Sequence, residues 1–309
     1  MVTTPPRSIA VVGVGGIGSS FAYQLARKGH DVTVVARPGS ARLHQLQRDQ
    51  GIVRKTGERA DVRVTDVLDE QVAYDVVLVT TLAHQVDAVL PALQRSQAAC
   101  VHFMFNNFDP ERLRSAMGAQ RCSFGMPFAT GSLDRDGKLT STVSSGPKTL
   151  HSDQRWVDLF RGAGLPSAFE PDMLRWLRCH VPLCLSFESI AVAGQRRGGG
   201  ASWAEAMVVA RGMHAGFAVV RGLGYRLYPR AKSVLNASPT VLIACMLWLL
   251  SRVTAFRELL AQGVSECRAL GGVLANAAGT AQPPLPAATV AAVRAMIPAA
   301  SAAGGAGGQ

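Results

Sequence analysis

The sequence predicts a doubly wound parallel α/β sheet followed by an all-α domain, on three observations. Short β-branched runs alternate with helical periods through the first half of the chain. A glycine cluster stands at the first junction of strand and helix. Strand signals stop near Glu170, and almost everything after it has a helical period.

In order, "SIAVVGV" from Ser8 reads as a strand, "IGSSFAYQLARKG" as a helix ending on Gly29, and "DVTVVAR" as a second strand. "ARLHQLQ" is helical, "GIVRKTGERADVRVTD" reads as two antiparallel strands, and "YDVVLVT" is another apolar strand. A helix through "HQVDAVLPALQ" leads to the strand "CVHFMFN". Asp136-Gly137, between two alternating arms, marks a hairpin expected to extend the sheet edge. A helix in "SDQRWVDLFRGAG" and a strand in "PSAFE" close this half. Helical periods then cover about Asp172–Gln195, Ser202–Leu223, Ser238–Ser251, Thr254–Leu274 and Pro286–Ile297. The expected domains are 1–170, 171–298 and a flexible glycine-alanine tail, 299–309.

With 309 residues, 48% of them hydrophobic, the chain is long enough for two cores. Its net charge of +11 comes mainly from arginines scattered through every segment, with few aromatics among them, so nucleic-acid binding is not expected. Only Lys28, Lys55, Lys138, Lys148 and Lys232 are lysines. The six cysteines form no CxxC pair and no zinc spacing, and the N-terminus lacks a signal-peptide pattern, so reduced thiols and a cytoplasmic protein are expected. The most apolar window, Thr240 to Leu250, is too short to span a membrane.

Gly13-Val14-Gly15-Gly16-Ile17-Gly18 is a G-x-G-x-x-G directly after a strand and opening a helix. That is the setting of a Rossmann-type dinucleotide site. Gly13 permits the turn, Gly15 and Gly16 let backbone amides approach a pyrophosphate, Ile17 opens the helix, and Gly18 lets it pack on the strand. Where an NAD enzyme usually shows a carboxylate at the second strand end, this chain has Arg37, with Ser40 and Arg42 behind it. A guanidinium suits a 2′-phosphate, so NADP(H) is the expected cofactor.

These features, the asparagine pair after "VHFMF" and the helical second half resemble the ketopantoate reductase family over nearly the whole chain. The resemblance implies a Rossmann domain, an all-α domain of the 6-phosphogluconate dehydrogenase-like type, NADPH held between them, and reduction of a 2-oxo acid. It implies that Asn107 reaches toward nicotinamide ribose and substrate, that Glu266 contacts the cofactor end, and that Thr254 stands where the family keeps a carboxylate-binding serine. Phe108 departs from the glycine usual after Asn107, and Leu82 stands where the family has a lysine.

The largest departure is "DMLRWLRCHVPLC". Trp176, His180 and Cys184 follow one another at i, i+4, about 40° apart on one helix side. By the resemblance, Trp176 replaces the proton-donating lysine, and His180 and Cys184 replace two substrate asparagines. Core, metal site and active-site wall are the three readings of such a face. A metal would need further ligands, and none stands at a telling spacing, so no metal is expected. His180 is the expected proton donor, with His84 and a loop-borne Lys232 as further candidates. Cys184 as a nucleophile is a weaker reading. Trp176 predicts a larger, less polar small-molecule substrate than ketopantoate, an aromatic compound or an imine. Pro182 should kink the helix. The reading is an NADPH-dependent reductase of a carbonyl or imine. Its alternative is an NADP-binding homologue that performs a non-redox cyclisation or elimination, or simply binds a ligand. Homodimerisation is left open, with the helix from Ser202 to Leu223 a candidate interface.

Overall fold

The computed structural model describes residues 5–142 and 146–299. The chain forms two compact units, Met1–Leu177 and Arg178–Gln309.

In the first unit the elements run β1 (Ser8–Val12), α1 (Gly16–Arg27), β2 (Asp31–Val35), α2 (Ala41–Asp49), β3 (Ile52–Val53), β4 (Arg59–Ala60), β5 (Arg63–Thr65) and β6 (Val76–Val79). They continue with α3 (Val86–Arg95), β7 (Val101–Met104), α4 (Pro110–Met117), β8 (Cys122–Met126), β9 (Thr130–Leu133), β10 (Leu139–Thr142), β11 (Thr149–His151), α5 (Gln154–Gly162) and β12 (Ser167–Phe169). One eight-stranded sheet has the order β12-β11-β8-β7-β6-β1-β2-β5. It is parallel except where β11 meets β8. Its central strands are apolar on both faces, as buried parallel strands must be: Ile9, Val11, Val76 and Leu78 are wholly inaccessible. Helices α1, α2 and α5 share one core with them, centred on Phe21 of α1 edge-on to Phe160 of α5, ring centroids 5.0 Å apart.

Two expectations change here. The Asp136-Gly137 hairpin, β9 with β10, does not extend the sheet edge; it forms its own two-stranded sheet. It lies on α1 because glycine meets glycine: a Cβ on Gly16 would stand 1.9 Å from the Gly131 carbonyl oxygen. Lys138 pairs with Asp49 of α2 at 2.9 Å and completes the clasp. Only β3 and β4 of the "GIVRKTGERADVRVTD" segment are antiparallel partners; β5 joins β2 in parallel.

The second unit is helical. Helix α6 (Met173–Arg196) enters it and runs unbroken through Pro182, without the helix end that a proline can impose. Then follow α7 (Trp203–Gly222), α8 (Arg230–Ala237), α9 (Thr240–Leu250), α10 (Thr254–Leu260), α11 (Val264–Ala277) and α12 (Ala287–Met296). Ser202 and Glu205 form a capping box that starts α7, which packs against α9 and α12. The single helix expected over Thr254–Leu274 is two, because a 3₁₀ turn over Ala261–Gly263 separates α10 from α11. The segment expected as a loop around Lys232 is helix α8. Helix α9 buries Ile243, Ala244 and Leu247 and exposes Val241, Leu242 and Leu249. No single helix among the described residues is long and apolar enough to cross a membrane. Of the expected tail, residues 300–309 lie outside the described residues.

Candidate functional site

The first unit gathers its candidate residues where the sheet order changes direction. From β1 the chain moves to β2 on one side and returns to β6 on the other, so the switch lies between β1 and β6. Open α/β sheets bind ligands at the carboxyl ends of the strands flanking such a point.

The glycines there divide into two kinds. Gly13 has φ +94°, and a Cβ on it would stand 2.7 Å from the Thr81 amide nitrogen; one on Gly18 would stand 2.1 Å from the Gly13 carbonyl oxygen. These positions, like Gly16, are glycine because the protein's own backbone occupies the space. Gly15 is different: a Cβ on it would meet nothing within 4 Å. It caps α1 without a side-chain bond, and the first turn has no acidic residue. The amides of Gly16, Ile17 and Gly18 precede the first intrahelical donor, Ser19, which bonds the Gly15 carbonyl at 2.9 Å. A helix start of this kind suits an anion.

Around it, Thr80 Oγ1 donates to the Gly13 carbonyl at 2.6 Å and holds the turn. Arg42 ties three pieces together, donating to the carbonyls of Val14 (3.2 Å) and Gly137 (2.8 Å) and to Ser19 Oγ (3.0 Å). Burial pulls its guanidinium down to about 10. It is a strut and not a phosphate ligand. Arg37 is exposed and makes no side-chain hydrogen bond or ion pair among the described residues. Ser40 caps α2, its Oγ accepting from the Leu43 amide at 3.2 Å, so only its hydroxyl proton remains for a ligand.

At the neighbouring strand ends, Thr81 Oγ1 after β6 and Asn107 Nδ2 after β7 are buried and lack partners among the described residues. Asn107 Oδ1 accepts from the Asp109 amide at 2.9 Å, which fixes the side chain and leaves its amide as a donor. Buried donors without partners cost stability, and such atoms mark where a ligand would supply the missing acceptor. These residues fit the nucleotide end of a dinucleotide. Thr81 was missed from sequence; its place directly after an apolar strand was the available signal.

On α6, Trp176 is 7% exposed and edge-on to Phe128, centroids 6.0 Å apart, so most of the indole is packing surface. His180 is half-buried. Burial first, then the charge of Lys232, pushes its imidazole down to about 3. It is therefore neutral near pH 7, and cannot be the ready imidazolium that a proton donor requires. Cys184 Sγ donates to Glu188 Oε1 at 3.1 Å. Burial, then Glu188, raises the thiol far above its usual value, which removes the basis for a thiolate nucleophile. Glu188 itself is pushed up to about 7 by burial and by Glu266 of α11. Cys267 belongs to the same group, raised to about 12 by burial and Glu188.

Glu188 continues the i, i+4 series by one turn and was legible there, yet was not singled out. The structure thus brings His180 to Lys232, and Cys184 to Glu188, Glu266 and Cys267. Thr254 opens α10, exposed, its Oγ1 receiving Arg257 at 3.3 Å. His84 is exposed on a 3₁₀ turn, Ala83–Gln85. Among the described residues no three His, Cys, Asp or Glu gather as a metal site.

Residues 9–150 match the family model described as ketopantoate reductase PanE/ApbA. No curated protein matches the chain. Solved structures share its fold across both units. A PanE/ApbA family ketopantoate reductase from Ralstonia eutropha JMP134 is 19% identical, with a TM-score of 0.68 over 94% of this chain and 96% of that one. D-mandelate dehydrogenase in complex with NADH is 14% identical, with a TM-score of 0.66 over 94% and 97%. A dimeric ketopantoate reductase from Staphylococcus aureus is 14% identical, with a TM-score of 0.62 over 94% and 98%. The resemblance drawn from the glycine motif and domain order is thereby shown: the fold is that of ketopantoate reductases, and the matched stretch holds the whole glycine site.

Proposed function

We propose that this chain, built on the ketopantoate reductase fold, is a nicotinamide-dependent reductase that prefers NADPH and acts on a carbonyl or imine compound other than ketopantoate. The observation that carries the reading is the first-unit cradle: one open glycine among closed ones, an uncapped helix start, and the unpartnered Asn107 and Thr81 at adjacent strand ends. The amides of Gly15 to Gly18 would take the pyrophosphate, Arg37 with the Ser40 hydroxyl the 2′-phosphate, and Asn107 the nicotinamide ribose or substrate. The bound dihydronicotinamide supplies a hydride.

The D-mandelate dehydrogenase neighbour carries NADH, which supports the cofactor class; Arg37 in place of a strand-end carboxylate favours the phosphorylated form. Trp176, His180 and Cys184 form the altered wall, and an indole suits an aromatic 2-oxo acid better than a small polar one. What joins this wall to the cradle is the family resemblance. The same resemblance assigns Glu266 to the cofactor end and Thr254 to the substrate carboxylate. A homodimer is proposed as well, supported by the dimeric neighbour and by the exposed apolar side of α9.

Fluorescence titration with NADPH and NADH tests the first claim. The wild-type chain should bind NADPH more tightly, and Arg37→Ala should reduce that preference by about tenfold, on the order of one charge-assisted contact. Oxidation of NADPH is then followed with ketopantoate, pyruvate, benzoylformate and a cyclic imine. Rapid turnover of ketopantoate would overturn the altered-substrate reading. Tight binding without oxidation of NADPH by any of them would favour the second reading, a non-redox or ligand-binding protein, for which the neutral His180 speaks.

A further inference from the structure

Helix α7 ends in a Schellman turn. The Gly224 amide bonds the Arg221 carbonyl at 2.9 Å, the Tyr225 amide bonds the Val220 carbonyl at 3.2 Å, and Gly224 sits at φ +86°. Glycine takes that left-handed conformation without a Cβ clash, so the chain leaves the helix axis there. Arg221 before the turn and Arg226 after it line one cavity of about 460 Å³, together with Tyr225, Leu227 and, from α8, Ser233 and Asn236. That volume is in the range of small-molecule sites and far exceeds what an inorganic ion fills.

The walls of the cavity are held in place. The Arg178 guanidinium of α6 lies 4.1 Å from the Tyr225 ring centroid, and Cys179 Sγ donates to the Arg226 carbonyl at 3.8 Å. Ser233 Oγ donates to the Leu227 carbonyl at 3.2 Å and ties α8 to the connection. Arg178 stands about 200° round α6 from Trp176, so this contact uses the side of the helix away from the Trp176, His180 and Cys184 face.

The charge around the cavity has one sign. No carboxylate lines it, and the sequence holds none between Glu205 and Glu258, a stretch that contains Arg221, Arg226 and Arg230. Arg221 and Arg226 are exposed and Asn236 is half-buried, and none of the three side chains makes a hydrogen bond or ion pair among the described residues. A single exposed arginine is ordinary on a chain of net charge +11. Two that share a concave site with an amide and an aromatic ring are a recognition surface. Guanidiniums present planar forks of N–H donors, which suit a dianion with several terminal oxygens, while Tyr225 and Leu227 give the same cavity an apolar side.

We propose that this cavity is a binding site for a phosphate monoester with an aromatic or other apolar body. Arg221 and Arg226 take the phosphate, the Asn236 amide donates to it, and the body lies against Tyr225 and Leu227. The site is independent of the reductase reading: a chain that neither bound nor oxidised NADPH would still carry it.

The test is calorimetric titration of the full chain with phenyl phosphate, inorganic phosphate and benzoate. Phenyl phosphate should bind more tightly than either of the others, and more weakly as salt is raised. R221Q and R226Q should each weaken it about tenfold, as loss of a charge-assisted hydrogen bond does, and the double variant should abolish it. R37A and saturating NADPH should leave it unchanged. A dissociation constant above about 10 mM for phenyl phosphate overturns the proposal. So does binding that R37A or NADPH removes and R226Q does not, which would place the anion at the glycine turn of the first unit. Benzoate bound as tightly as phenyl phosphate overturns the phosphate assignment, and inorganic phosphate bound as tightly overturns the apolar body. Both arginines are exposed, and should either variant fail to fold, the other decides.

Discussion

The two buried histidine sites of this molecule share a chemistry and differ in consequence. In the sheet of the first unit, His102 on β7 and His151 on β11 are wholly inaccessible. His102 Nε2 meets His151 Nδ1 at 2.9 Å, His102 Nδ1 meets Ser123 Oγ at 2.8 Å, and His151 Nε2 meets Ser167 Oγ at 3.3 Å. Trp156 Nε1 donates to the same Ser123 hydroxyl at 3.0 Å. Burial pushes both imidazoles down, His151 to about 3. His180 on α6 is pushed equally far. A depressed value therefore does not separate scaffold from function. The partners do: four ring nitrogens consumed by each other and by serines close a network, while the half-buried His180 ring keeps part of its surface open to solvent.

The largest test of the contrast is acid. An imidazole whose folded value lies below the unfolded 6.5 takes its proton only on unfolding, so its stability is complete above pH 6.5 and is lost as pH falls toward 3. From pH 7 to pH 5 each such histidine should cost about 2 kcal/mol. Glu188, raised to about 7, has the opposite sign: it keeps its proton when folded, and the same pH drop should return about 2 kcal/mol. With His102, His151 and His180 together, urea melts should show a net loss of about 4 kcal/mol, and E188Q should make the loss steeper. A fold equally stable at both values would break the comparison at its root.

Truncating one member of the closed pair comes next. His151→Ala opens a cavity and strips His102 Nε2 of its partner, an expected cost of about 3 kcal/mol in denaturant melts. The same truncation at His180 should do the reverse. Stability should change by less than about 1 kcal/mol at a half-buried site, while turnover falls about a hundredfold. If His180→Ala destabilises as much as His151→Ala, the two sites are of one kind and His180 is scaffold.

Local chemistry made much of this legible. Alternating β-branched runs marked β1, β2, β6 and β7, and Gly13 to Gly18 marked the turn between β1 and α1, because these signals depend on neighbours within a few residues. Helix α4 was legible too, with Asp109 capping and Pro110 at its first position, but was passed over. The hairpin's own turn was readable from Asp136-Gly137; its seat was not. That depended on Gly16 meeting Gly131, residues far apart in the chain. The break at Gly263 was hidden by a helical period that runs through it. On the candidate site, the i, i+4 face of Trp176, His180 and Cys184 was plain, and Glu188 lay one turn further on.

By itself, then, the sequence determined the order of the two kinds of structure, the glycine turn between β1 and α1, the basic residue at the second strand end, and the i, i+4 face of Trp176, His180 and Cys184 on α6. All are statements about residue type at short spacing. Tertiary structure decided which charged groups meet. It left Arg37 exposed and spent Arg42 on three contacts of the scaffold, although both follow the same strand. It also buried the His180 ring and brought the charge of Lys232, fifty-two positions away, to bear on it, and both effects, burial first, lower that imidazole. Desolvation and Coulomb interaction act through space, and no local pattern encodes which distant charge will stand beside a given ring.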